Sequence, residues 1–244
     1  MKFVDLFCGI GGLSLGLENA GHKNVFSTDY WNAAELNNNS KNFLKLDLFH
    51  PNSQEIIINK IKQNKAELIV GGPPCQGFSS FGKRKTEDRR NTLVDIFLNI
   101  IAKSNPKIII IENVRGLTSM EHPNGLKFNE HIKRVLESKQ NKYFVQIIHL
   151  DGLKLGMAQN RKRIFYLGIK KDILNVQENQ QVKLTSFIEK FLKTFEKNSK
   201  TLKEVISDLP KIESGDECID KNIKNHTPFI HQDEIIKRIK YVPE

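Results

Sequence analysis

A chain of 244 residues has room for one large or two modest domains with a sizeable core, and 39% hydrophobic with 27% charged residues is a globular composition. It holds no apolar run of membrane-spanning length and no signal-peptide pattern, so a soluble, cytoplasmic protein with no membrane partner is expected. The net charge of +10 suits a polyanionic partner such as nucleic acid, and three scattered cysteines, Cys8, Cys75 and Cys218, without CxxC or His/Cys spacing, argue against disulfides or structural zinc.

In chain order, the apolar run Lys2-Phe3-Val4-Asp5-Leu6-Phe7 predicts a strand, and Cys8-Gly9-Ile10-Gly11-Gly12 a glycine-rich turn into a helix. Leu13 and Leu17 mark the inner face of that helix and Gly21 its stop. A second strand, Val25-Phe26-Ser27-Thr28, ends in Asp29. Strand, glycine turn, helix, strand and an acidic residue about 20 positions on form the nucleotide-binding βαβ pattern, in which the carboxylate accepts from ribose hydroxyls. A glycine turn also serves simply to pack helix on strand. The spacing Gly9, Gly11, Gly12 lacks the pyrophosphate-cradling third glycine of GxGxxG, which favours a cofactor with adenosine and no phosphates, such as S-adenosylmethionine.

Asn42-Phe43-Leu44-Lys45-Leu46 reads as a third strand, with Asp47 placed either as a turn residue or as an acceptor for an adenine amino group. Ile57, Ile58 and Ile61 mark a helix face. Leu68-Ile69-Val70 then runs into Gly71-Gly72-Pro73-Pro74-Cys75-Gln76-Gly77-Phe78-Ser79, a buried strand breaking into a loop at its carboxyl end. Open α/β sheets collect reacting groups at that edge. Cys75 is there either a small core residue or a nucleophile held by two prolines. Residues 79–91, with Lys83, Arg84, Arg89 and few large apolar groups, read as a solvated loop or as a cationic lid over a phosphate backbone.

Leu93, Ile96, Phe97, Ile100 and Ile101 predict the next helix. After Pro106 come four consecutive isoleucines, Ile108 to Ile111, a strand expected to be buried on both faces, ending in Glu112. A carboxylate there is expected to be desolvated, which would raise its pKa and make it a proton donor near neutral pH. Phe128, Ile132, Val135 and Leu136 give a helix, and residues 143–150 a strand. Gln159-Asn160-Arg161-Lys162-Arg163 precedes the strand at residues 164–169, its two arginines placed to share one face and one substrate, or forming a charged turn. Beyond about residue 172 the chain turns polar and lysine-rich, a short helix is expected over residues 201–206, and irregularly spaced histidines receive no metal role.

Together, Asp5-Leu6-Phe7-Cys8-Gly9-Ile10-Gly11-Gly12, the Gly72-Pro73-Pro74-Cys75-Gln76 segment, Glu112-Asn113-Val114 and Gln159-Asn160-Arg161-Lys162-Arg163 resemble, in order and spacing, the C5-cytosine DNA methyltransferases. The resemblance implies an α/β fold: a mostly parallel seven-stranded sheet with helices on both faces, the Rossmann-like S-adenosylmethionine-dependent methyltransferase fold. It also implies methyl transfer to C5 of a cytosine flipped out of double-stranded DNA, in a prokaryotic restriction-modification setting, with no metal. Cys75 resembles the nucleophile, Glu112 the carboxylate at N3, and Arg161 and Arg163 the arginines of the cytosine pocket. Phe7, Cys8, Gly9, Ile10 and Gly12 resemble the cofactor loop, Asp29 the ribose ligand (usually Glu), and Tyr30 the residue packed on adenine. Asp47, Leu48, Gly72, Pro74 and Leu93 complete the implied cofactor set, and Gln76, Ser79, Lys83, Arg84 and Arg89 the DNA contacts.

The resemblance covers residue 2 to about 170, so residues 1–172 are expected as catalytic core and 173–244 as an extension leading toward an absent target-recognition region. A second polypeptide supplying DNA specificity is the implied partner. The alternatives are a tRNA cytosine-C5 methyltransferase and an inactive cofactor- or DNA-binding subunit. An NAD-type oxidoreductase rests on the βαβ pattern alone.

Overall fold

The computed structural model describes residues 1–38, 42–74, 92–174, 181–214, 223 and 229–241. Seven strands form one sheet in the order β3-β2-β1-β4-β5-β7-β6. These are β1 (Lys2–Leu6), β2 (Lys23–Asp29), β3 (Phe43–Lys45), β4 (Leu68–Gly71), β5 (Ile108–Val114), β6 (Tyr143–Asp151) and β7 (Lys162–Lys170). The first five pair in parallel, while β7 runs antiparallel to both β5 and β6.

Helix α1 (Gly12–Asn19) covers one face through Leu13 and Leu17, which pack on Phe3, Leu68 and Val70. The short α2 (Asn32–Asn37), unforeseen from sequence, follows β2. On the opposite face, α3 (Pro51–Gln63), α4 (Thr92–Ser104) and α5 (Phe128–Glu137) bury Ile57, Ile61, Phe97, Ile101 and Ile132 in the main core. The remaining helices are α6 (Lys171–Leu174), α7 (Gln181–Lys193), α8 (Leu202–Ile206), closed by a Thr201/Glu204 capping box, and α9 (Asp233–Ile239). None is long and apolar enough to cross a membrane.

One expectation needs correcting. Of the four isoleucines of β5, Ile109 and Ile111 are fully buried, on the α4 side, while Ile108 and Ile110 are half-buried. Ile110 instead opens, with Gly12 and Gly16 of α1, Phe165, Leu167 and Leu192, onto an apolar groove of about 310 Å³. A parallel sheet normally covers both faces with helices, and over this part of the α1 side that cover is incomplete.

Parallel strands bring their carboxyl ends to one rim, which gathers Phe7, Asp29 and Gly72. Antiparallel β7 brings its first residues there, so Arg163 opposes Val114 and Leu150. Gly71 makes the close β1–β4 approach possible, since a Cβ at that position would lie 2.3 Å from the carbonyl oxygen of Leu6.

Candidate active site

Phe7, the last apolar residue of the amino-terminal run, takes a left-handed backbone (φ 58°), which is uncommon for a residue with a side chain and concentrates at functional sites. Its ring meets Phe97 edge-on at 6.0 Å. The chain then turns through Gly9 and Gly11, both at positive φ, into α1. Asp29 braces this turn: its Oδ2 accepts the Gly9 N–H at 2.9 Å and its Oδ1 the Trp31 N–H at 3.0 Å.

A cavity of about 580 Å³ opens at this rim, within the size range of small-molecule sites. Phe7, Asp29, Tyr30, Asp47, Leu48, Gly72, Pro74 and Leu93 line it. Thr28, Trp31, Leu46 and Phe49 also line it and are not reached by sequence reasoning, although the adjacency of Trp31 to Tyr30 and of Phe49 to Leu48 was a usable signal. Asp47 makes the turn bond that sequence allowed, its Oδ1 accepting the Phe49 N–H at 2.9 Å, and still faces the cavity.

Cys8, Gly9, Ile10 and Gly12 are not in that lining. The Cys8 thiol is buried and accepts from Asn38 Nδ2 at 3.2 Å, and burial with the nearby Asp5 and Asp29 carboxylates pushes its pKa far up. Gly9 acts through its N–H, Ile10 is exposed, and Gly12 faces the apolar groove.

Beneath the turn, Asp5 of β1 is fully buried, its Oδ2 accepting from Ser14 Oγ at 2.6 Å and its Oδ1 lacking a partner. Desolvation, aided by Asp29 and opposed by the Ser14 hydrogen bonds, pushes the Asp5 pKa up to about 7.

Glu112 does not line the cavity but is brought against its Gly72 by register. Gly71 pairs with Ile111, so Gly72 and Glu112 stand at adjacent strand ends, and a Cβ on Gly72 would lie 3.1 Å from Glu112 Oε2. Arg163 Nε lies 2.9 Å from Glu112 Oε1. Glu112 is therefore not desolvated in hydrocarbon as expected: its side chain is 25% exposed and paired with a cation. Arg161 lies ahead of β7 with an exposed side chain, so strand alternation does not place it beside Arg163. Asn113, fully interior and quoted in the Glu112-Asn113-Val114 motif without a role of its own, donates from Nδ2 to the Pro73 carbonyl at 3.1 Å and accepts the Val114 N–H at 2.8 Å, tying the end of β5 to the loop after β4. That loop is described up to Pro74. Cys75, Gln76, Ser79, Lys83, Arg84 and Arg89 lie outside the described residues.

At the same rim, Arg115, Lys154 and Lys162 line a groove of about 440 Å³ beside β6 together with Asp151, Glu189 and Glu196, and Lys154 and Lys162 pair with Glu196 at 4.0 Å and Asp151 at 3.7 Å. These cations were also unassigned from sequence.

The family model for C-5 cytosine-specific DNA methylases matches residues 1–242. The chain belongs to the C-5 cytosine-specific DNA methylase family. Among its relatives, the type II methyltransferase M.DdeI of Desulfomicrobium norvegicum is 32% identical over 222 residues, 88% of this chain and 50% of that protein. M.FnuDI of Fusobacterium nucleatum is 34% identical over 71% of this chain and 48% of its own length. The chain thus spans about half the length of the curated relatives it matches. A DNA modification methyltransferase encoded within an E. coli prophage superposes with a TM-score of 0.62 at 24% identity, covering 88% of this chain and 56% of that one. The Dnmt2 methyltransferase of S. pombe gives 0.54 at 22%, covering 70% and 49%. At these identities the structures speak for the fold, which is that of the S-adenosylmethionine-dependent, Rossmann-like methyltransferases.

Proposed function

We propose that this methylase-family chain is the catalytic half of a DNA cytosine-5 methyltransferase, binding S-adenosylmethionine in the 580 Å³ cavity and presenting Cys75 and Glu112 to a cytosine rotated out of the duplex. The observation that carries this reading is the position of Gly72, which lines the cavity and also abuts the Glu112 carboxylate. Donor cavity and candidate acid therefore meet on the chain segment that leads, three residues later, to Cys75.

The residues present suit the donor. Asp29 offers a carboxylate for ribose hydroxyls, and Tyr30 and Trp31 expose aromatic faces for adenine. Bound there, S-adenosylmethionine would supply an electrophilic methyl group.

Cytosine C5 becomes nucleophilic only once C6 carries a substituent, and that is the work assigned to Cys75, whose thiolate adds at C6 while Glu112 relays a proton from water to N3. Once C5 carries the methyl, loss of the C5 proton to water and cleavage of the C6–S bond release the thiolate, and return of the N3 proton through Glu112 restores the neutral ring. Arg163 orients Glu112 through the 2.9 Å ion pair and addresses O2 of the base, and the exposed Arg161 addresses the neighbouring phosphate. Gln76, Ser79, Lys83, Arg84 and Arg89, together with Arg115, Lys154 and Lys162, supply contacts to the polyanionic backbone.

A second polypeptide is proposed to confer DNA specificity. The open apolar groove over β5 and β7 offers it a docking surface. Methyl incorporation into duplex DNA, with tRNA as competing acceptor, tests the whole reading when the chain is assayed alone and with the product of the adjoining coding region. Cys75→Ser is expected to abolish transfer and Glu112→Gln to cut it on the order of 100-fold. Full transfer by Cys75→Ser would end the proposal.

A further inference from the structure

Away from the cavity, three side chains from distant parts of the chain meet. Asp95 of α4 accepts at both oxygens, from His122 Nε2 at 3.0 Å and from His131 Nε2 of α5 at 2.7 Å. The two imidazoles stack, centroids 3.8 Å apart and planes 10° from parallel. Both rings are nearly buried, and His122 also meets Phe128 edge-on at 5.0 Å.

Proximity of two imidazoles and a carboxylate suggests a metal site, and among the described residues it is the one cluster whose donor atoms approach closely enough. The hydrogen bonds argue otherwise. The Asn124 backbone N–H points at His122 Nδ1 from 3.2 Å, and a backbone N–H can only donate. Asn124 Oδ1 is occupied by the Leu126 N–H, so its Nδ2 faces His131 Nδ1 at 2.9 Å. Both Nδ1 atoms are therefore acceptors, and both rings carry their proton on Nε2, where a metal would have to bind. A metal-ligating histidine needs the opposite arrangement, with its remaining N–H turned toward an acceptor. Parallel rings also aim their lone pairs side by side rather than at a common point.

Held this way, the cluster fixes a helix. Leu93, one turn before Phe97, lines the donor cavity, and Phe97 packs on Phe7, which lines it too. Asp95 lies about 200° around the helix from Leu93, on its far side. Two bonds to one carboxylate, from rings whose separation is set by stacking, resist rolling of α4 about its axis. Burial alone would raise the Asp95 pKa, but the hydrogen bonds from His131 and His122 outweigh it and hold the carboxyl below its ordinary range, which keeps it an acceptor at both oxygens.

We propose that Asp95, His122 and His131 are positioning residues for donor binding, a proton-held clamp that sets the Leu93–Phe97 wall of the cavity against the segment following Glu112. The proposal rests on the reading of that cavity as the donor site. Its test is titration calorimetry of S-adenosylhomocysteine on wild type and Asp95→Asn, with amide deuterium exchange on both proteins without ligand and zinc analysis after dialysis.

The expected result is affinity weakened about tenfold, exchange accelerated over residues 92–97, and no stoichiometric zinc. Equal affinity in the variant overturns the proposal, even if its melting temperature falls. One zinc per wild-type chain, lost in Asp95→Asn, also overturns it. If wild type takes up no S-adenosylhomocysteine, the donor reading fails and exchange decides for the clamp: acceleration confined to residues 92–97 and 122–131 upholds it, and unchanged rates overturn it. His131→Asn, which removes a single bond, carries the same readings should Asp95→Asn not fold.

Discussion

Arg163 Nε meets Glu112 Oε1 at 2.9 Å along a diagonal of the antiparallel β5–β7 ladder, whose direct pairs are Glu112 with Phe165 and Val114 with Arg163. Arg163→Lys keeps the charge and loses the planar donor that fits a carboxylate side-on. Single-turnover methyl transfer is expected to fall 10- to 100-fold, with donor affinity unchanged. Both partners are about a quarter exposed, so urea denaturation is expected to register a change of no more than about 1 kcal/mol.

Two neighbouring glycines separate folding from chemistry. Alanine at position 71 would set its Cβ 2.3 Å from the Leu6 carbonyl and 3.1 Å from Phe97, so β1 and β4 would have to part. Gly71→Ala is expected to cost more than about 3 kcal/mol, read as lost soluble yield. At position 72 the obstacle is the movable end of Glu112, so Gly72→Ala should fold nearly as wild type while methyl transfer drops.

Asp5 makes stability pH-dependent. Its pKa rises from 3.8 in the unfolded chain to about 7 in the fold, so the native state binds more protons between those values. This contribution is fully present below pH 4 and is lost as pH climbs toward 7, on the order of 4 kcal/mol at most. Asp5→Asn keeps an acceptor for Ser14 and should flatten that slope, unfolding at higher urea than wild type at pH 8.

Asp29 offers a spectroscopic test. Replacement by alanine removes the acceptor of the Gly9 and Trp31 N–H groups as well as the proposed ribose ligand. Affinity for S-adenosylmethionine should fall at least tenfold. Trp31, the only tryptophan in the chain and part of the cavity wall, reports the titration by its emission.

Much of this was legible where one residue type has one use. An apolar run followed by glycines and an acidic strand end located β1, α1, β2 and Asp29, and the motifs located Gly72, Pro74 and Glu112 on the rim. Direction was harder: nothing in the composition of residues 162–170 says that β7 runs backwards, and the Glu112–Arg163 pair exists because it does. The left-handed Phe7 was hidden because φ > 0 is foreseeable at glycine, not at phenylalanine. Asp95, His122 and His131 are separated by up to 36 positions and follow no spacing rule, so only packing brings them together.

The reversed strand has a further consequence for how such a pocket can change. The turn spanning residues 152–161 feeds the beginning of β7, so lengthening or shortening it would slide the arginine along its partner strand while the four parallel rungs beside it keep their places. The proposed base pocket could thereby be retuned from a surface turn, with Glu112 at Gly72 as its point of contact with the cavity.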